Sequence, residues 1–267
     1  MFSAQEQRLR AVKKELRAAE RQEQRFETAA KKAVPAGWRV ELEKKIPEKI
    51  YAGLESAFCK GFSLVFQQGA GIIEKSFRKE ALMADHDIRD YAVQRKGGRK
   101  ALQQMHKSAR HSDLRNLAVT AAEGMGLGVL GVGMPDIVLF LGFLLKGVYE
   151  TAVHYGFGYE SREEQYLILK MLENSLSTGP VWTSLNREVD HLLEVLPAVT
   201  DEEFQAQIRA AGSAFAVDML LLKFIQGFPI IGVLGGAANP VYYRKVMRYV
   251  ELKYREGYLR RQIKGKN

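Results

Sequence analysis

Cysteine is nearly missing from this chain: Cys59 is the only one in 267 residues. A single thiol cannot close an internal disulfide, which excludes stapled secreted scaffolds and suits a reducing cytoplasm. No neighbouring motif activates it, so Cys59 reads as an inert apolar residue of a helix. Strand signals are equally scarce: no run alternates with period two between turn residues, which sets sheet architectures aside. The opening MFSAQEQRLRAVKKELRAAERQEQRF has no apolar run, so nothing in it resembles a secretory signal. Walker A and HExxH patterns are absent as well. A G-x-G-x-x-G does occur at Gly126–Gly131, but the dinucleotide turn needs a strand before it, and residues 118–123 read as helix. No cofactor and no metal is expected on these grounds.

What is present is ordinary globular material with an uneven charge. The 46% hydrophobic and 27% charged content are those of a folded chain, and the length allows a sizeable core. The net charge is +9. Residues 1–50 hold 13 Lys/Arg against 8 Asp/Glu, and residues 240–267 hold 9 against 2, so the body between them is slightly acidic. Basic ends of this kind suit an anionic surface, either acidic lipid headgroups or nucleic acid phosphates.

Helical spacing runs through most of the chain. Leu9, Val12, Leu16, Ala19, Phe26, Ala30 and Ala33 form a heptad-like seam that Glu23 interrupts, and Pro35-Ala36-Gly37 ends it. A seam this short and alanine-rich predicts a helix packed on its own body. Pro47 opens a second helix through Leu54, Phe58 and Phe62. A polar helix follows over 80–95, then another over 99–123. Tyr155-Gly156 predicts a left-handed helix end. Ser161-Arg162-Glu163-Glu164 and Thr200-Asp201-Glu202-Glu203 predict capping boxes at two helix starts. The sum is an all-α fold: a single multi-helix bundle with two Gly/Pro-broken apolar central helices and a basic N-terminal helical extension. Residues 1–37 form that extension, and 38–267 the helical domain.

The two apolar segments, 124–145 and 214–238, are each long enough to span a bilayer by count. Both are broken by proline and loaded with glycine, and both contain charge. Asp136 behind Pro135 suits the first turn of a helix, where its carboxylate meets unpaired N–H groups. Asp218 and Lys223, five apart, are off the usual helical pairing distance. Pro135, Asp136, Asp218, Lys223 and Asn239 are therefore the candidate helix-break or pocket positions. The soluble-core reading of both segments competes with insertion into a membrane.

Elsewhere, Asp85-His86-Asp87 with Asp90 reads as a solvated acidic turn, and His106 and His111 point to different faces of a helix. His154 reads as a cation near a helix end, satisfying its carbonyls. The C-terminal YYRKVMRYVELKYREGYLRRQIKGK interleaves five tyrosines with basic residues. Packing of Tyr242, Val246, Tyr249, Val250, Leu259 and Ile263 competes there with contact to an anionic surface through Arg244, Lys245, Arg248, Lys253, Arg255, Arg260 and Arg261. Nucleic acid stacking is the weaker alternative.

MPDIVLFLGFLLKGVYETAVHYGFGYESREEQYLILKMLENSL, residues 134–176, resembles the signature region of the EcsC family of bacterial proteins, and FPIIGVLGGAANPVYYRKVMRYVELKYRE, residues 228–256, resembles its C-terminal glycine-rich turn and basic helix. The similarity spans roughly residues 40–260. It implies an all-helical protein acting at the membrane, with an ABC transporter as the kind of membrane partner, and it supplies no catalytic residues. The reading is thus a non-enzymatic helical protein, cytoplasmic and peripheral on the inner membrane. The alternative is an enzyme or lipid-ligand binder whose pocket lies between the two broken apolar helices.

Overall fold

The computed structural model describes residues 3–32, 47–69, 73, 78–96, 98–109, 134–225 and 238–265. Among them there is helix and no strand. In chain order the helices are α1 (Ala4–Lys32), α2 (Glu48–Leu64), which runs on into a π-helical turn at Val65–Gly69, and α3 (Lys79–Lys96). Then come α4 (99–109), α5 (Met134–His154), α6 (Arg162–Leu176), α7 (Gly179–Glu194), α8 (Asp201–Ile225) and α9 (Ala238–Lys264).

The local signals act as their chemistry requires. Gly156 ends α5 with φ +70°, a conformation a side chain disfavours. At α6 the Ser161 hydroxyl accepts from the Glu164 N–H while the Glu164 carboxylate accepts from the Ser161 N–H. Thr200 and Glu203 make the same exchange before α8. Pro47 sits one position outside α2, where its carbonyl accepts the first backbone bonds. One expectation fails: Asp85, His86 and Asp87 lie within α3 and not in a turn. The apolar residues of α3 are spread around the axis, with Met83, Ile88 and Tyr91 exposed, so the amphipathic signal is weak, yet Val93 and Asp90 on its inner side are buried.

The core is built around α9, which packs on α1, α5, α6 and α7. The most basic stretch of the chain is therefore its central helix. Tyr242, Tyr243, Tyr249, Tyr254 and Tyr258 are all buried, as are Val246, Val250 and Leu259. α5 runs beside it: Phe140 meets Tyr242 and, at the other end, Phe157 just beyond α5 meets Tyr254. Ile137–His154 is the one stretch among the described residues long and apolar enough to cross a membrane, and 72% of it is buried against other helices. Leu141, Leu144, Leu145, Val148 and Tyr149 are enclosed completely. The described half of the first apolar segment is thus core, while 124–133, with the Gly126–Gly131 run, lies outside the described residues. The second segment divides likewise: Phe215, Ala216, Met219 and Leu220 are buried, and 226–237 falls outside.

α1 is not an appendage. It lies along α9 and also meets α7 and α3. Val12 and Ala19 are fully buried by it, each removing apolar surface from water at about 25 cal/mol per Å².

Candidate functional site

Glu23, the residue that breaks the seam of α1, explains how that helix is seated. Its carboxylate faces Lys253 of α9, whose ammonium pairs with Glu23, with Asp190 of α7 at 2.8 Å and with Glu256 at 2.9 Å. Lys253 and Glu256 have no exposed side-chain surface. Arg260 adds a second cation, 3.0 Å from Asp190, and the Asn186 amide donates to Glu23 at 2.6 Å. The Tyr249 hydroxyl bridges the side-chain amides of Asn174 and Asn186 at 2.7 and 2.8 Å. Burial lowers the Lys253 pKa, but Tyr249, Glu256, Asp190 and Glu23 outweigh it and hold the pKa above the ordinary lysine value. Glu256 moves the other way for an acid: burial pushes its pKa up to about 7 against the pull of Lys253. The donor oxygens of Glu23, Asp190 and Glu256 lie within 4.8 Å of one another, a spacing that suits a divalent cation. Here the Lys253 ammonium stands where such an ion would.

The other named cations are distributed by the same logic. Arg255 meets Glu15 of α1 at 2.6 Å, and Arg99 meets it from α4 at 2.6 Å. Burial raises the Glu15 pKa, but the two guanidinium groups outweigh it and hold the carboxyl below its usual range. Arg261 donates to the Gly156 carbonyl and stacks 3.7 Å from the centre of the Phe157 ring. Lys245 pairs with Asp218 at 2.8 Å, which ties Asp218 to α9. Arg244 and Arg248 are exposed on the first turns of α9. Pro135 and Asp136 fall in the first turn of α5, Lys223 in the last turn of α8 and Asn239 in the first turn of α9; their side chains lie outside the described residues.

The sequence marks the N-terminal helix as basic and amphipathic but leaves the residues of its outer face unnamed. Arg10, Lys13, Lys14, Arg17, Arg21, Arg25, Lys31 and Lys32 are all exposed. At 100° per residue they fall within about a third of the helix circumference, along about 33 Å of axis. The acids Glu15 and Glu23 turn inward, and Glu27 reaches Thr183 of α7 at 3.4 Å. The signal lies in the spacing: plotting these charges by sign around a helical wheel sets the basic arc apart from Glu15 and Glu23.

A cleft of about 420 Å³ opens at the far end of α5, lined by Lys79, His86, Asp87, Phe157, Tyr159 and Glu160 among others. It does not lie between the two apolar segments. Lys79 pairs with Glu160 and sits over the Tyr159 ring, and His86 Nδ1 lies 3.0 Å from the His154 carbonyl. His154 corrects another expectation. Its ring is buried, finds no hydrogen-bond partner among the described residues and has Asp85 Oδ2 at 3.9 Å, so it is His86 that meets the helix-end carbonyl. Burial lowers the His154 pKa and keeps it neutral at pH 7. His106 Nδ1 lies 3.0 Å from the Tyr155 hydroxyl, and His111 is outside the described residues. Cys59 packs between α2 and α8 with its thiol pKa pushed up by burial, the opposite of an activated nucleophile.

These features define a class: an all-α protein whose described interior is tied by ion pairs and whose N-terminal helix presents a basic face outward. The family model of the EcsC protein family matches residues 10–259, and the chain belongs to that family. The match takes in most of α1, which the similarity drawn from about residue 40 had left outside. No curated protein and no solved structure matches the chain.

Proposed function

We propose that this EcsC protein is a non-enzymatic helical protein that docks on the inner face of the cytoplasmic membrane through the outer face of α1, with anionic lipid headgroups meeting its cations. The observation that carries this reading is the distribution of charge on α1: eight exposed Lys/Arg on one face, shared by the single acid Glu6 in the first turn, with Glu15 and Glu23 turned into the body. Each cation near an anionic bilayer contributes about 1 kcal/mol, so a full stripe reaches an affinity on the order of micromolar without inserting any helix. Arg244 and Arg248 add charge at the first turns of α9, next to the second apolar segment.

Nucleic acid is the less favoured partner for a physical reason. Single-strand binding needs exposed aromatic faces beside the cations, and the tyrosines of α9 are spent in the core. The outer face of α1 carries none either.

Co-sedimentation of the intact protein with vesicles tests the reading. Binding is expected to phosphatidylglycerol-containing vesicles and not to pure phosphatidylcholine, and to vanish at about 0.5 M salt, where the Debye length falls to a few Å. Replacing Arg17 and Arg21 by Gln is expected to weaken binding about thirtyfold, from about 1 kcal/mol per cation removed. Equal binding to neutral vesicles, indifference to the double replacement, or tighter capture of a single-stranded RNA oligonucleotide would overturn it.

A further inference from the structure

The joint between α1 and the body contains more acid than it can balance. Around Glu256 stand Glu23 from α1, Asp190 from α7, and Lys253 and Arg260 from its own helix, with Tyr249 alongside. Three carboxylates face two cations, so the fully ionised cluster carries one uncompensated negative charge. The position of that excess is visible in the hydrogen bonding. Glu256 Oε2 accepts from Lys253 at 2.9 Å, whereas Oε1 is buried with no partner among the described residues. A buried carboxylate oxygen left unpaired is the costly place to keep a charge.

We propose that Glu256 is a proton-operated latch on α1: protonated, it leaves the cluster neutral and α1 firmly seated; ionised, it leaves an excess charge in the joint and loosens the helix. The geometry gives the coupling, because Lys253 holds Glu256, Asp190 and Glu23 at once and Glu23 belongs to α1. No other described acid combines full burial, an unpartnered oxygen and a shared cation with the N-terminal helix. The direction of the pH effect follows from the raised pKa. An acid whose folded pKa of about 7 exceeds its ordinary 4.5 contributes stability that is complete below about 4.5 and lost as pH rises through 7. One such proton released between pH 6 and pH 8 changes the seating equilibrium about tenfold. The latch does not depend on the membrane reading, although it would govern the helix that carries the docking face.

Amide hydrogen exchange of the intact protein without vesicles tests the latch and leaves the membrane reading aside. After correction for the intrinsic base-catalysed rate, the opening constant of α1 is expected to rise about tenfold from pH 6 to pH 8 in the native protein, and by less than about twofold in Glu256→Gln. Asp190→Asn removes one neighbouring charge, so its transition is expected to move to lower pH. Equal protection of α1 at both pH values in the native protein would sink the proposal. The same tenfold rise in Glu256→Gln would also overturn it, by assigning the transition to another group. Circular dichroism melts of both variants establish that they are folded before exchange is read.

Discussion

Lys253 shows how far a residue's type can mislead about its place. A lysine in a basic C-terminal stretch reads as solvated charge, yet this one has no exposed side-chain surface and holds three carboxylates. Within YVELKYREGY only Glu256, three positions on, is a partner; the other two come from Glu23, 230 positions away in the chain, and from Asp190. Only the break in the α1 seam at Glu23 was legible, as an irregularity without a stated cause. Removing the ammonium leaves the acids stranded in low dielectric. Lys253→Met is therefore expected to cost about 3–5 kcal/mol at pH 8, measured by urea unfolding. The loss is expected to shrink at pH 6, where Glu256 keeps its proton.

At the level of elements, legibility followed the range of the interaction. Capping boxes at Ser161 and Thr200 and the left-handed Gly156 depend on residues within four positions, and each was readable directly. Ser161→Ala is expected to lower stability by about 1 kcal/mol through the lost cap, seen as a fall in Tm of about 2–4 °C. Contacts between elements left weaker traces. α2 and α8 approach so closely that a Cβ on Gly212 would stand 2.6 Å from Cys59 Sγ and 3.2 Å from the Cys59 backbone nitrogen. The glycine in RAAGSAF looks ordinary in sequence, since the surface it makes room for is about 150 residues upstream. Gly212→Val is expected to cost about 1–3 kcal/mol as the two helices are forced apart, checked by thermal melting. α1 sits between these cases. Its seam was visible, whereas its basic outer face emerges only when the charges are sorted by direction around the helix axis.

For the whole molecule, charge is arranged from outside to inside and not from end to end. The two basic ends identified in the sequence have opposite fates: cations of α1 face water, and most of those on α9 are tied to the acids of α1, α7 and α8. Net charge along the chain could not reveal this, because it averages over faces. α9 also fixes the order in which the molecule can be completed. It touches α1, α5, α6 and α7, so the seat of α1 waits for it, whereas α2, α5, α6 and α8 pack on one another without it. At roughly 5–20 residues per second of translation, the 230 positions between Glu23 and Lys253 correspond to roughly 10–45 s during which α1 has been synthesised without its seat. Until then its inward acids and apolar seam have only the smaller contacts with α3, α4 and α7 to close on. The seat of α1 therefore closes only once α9 has followed, and a nascent chain still lacking that helix is a natural client for whatever shields unfinished proteins.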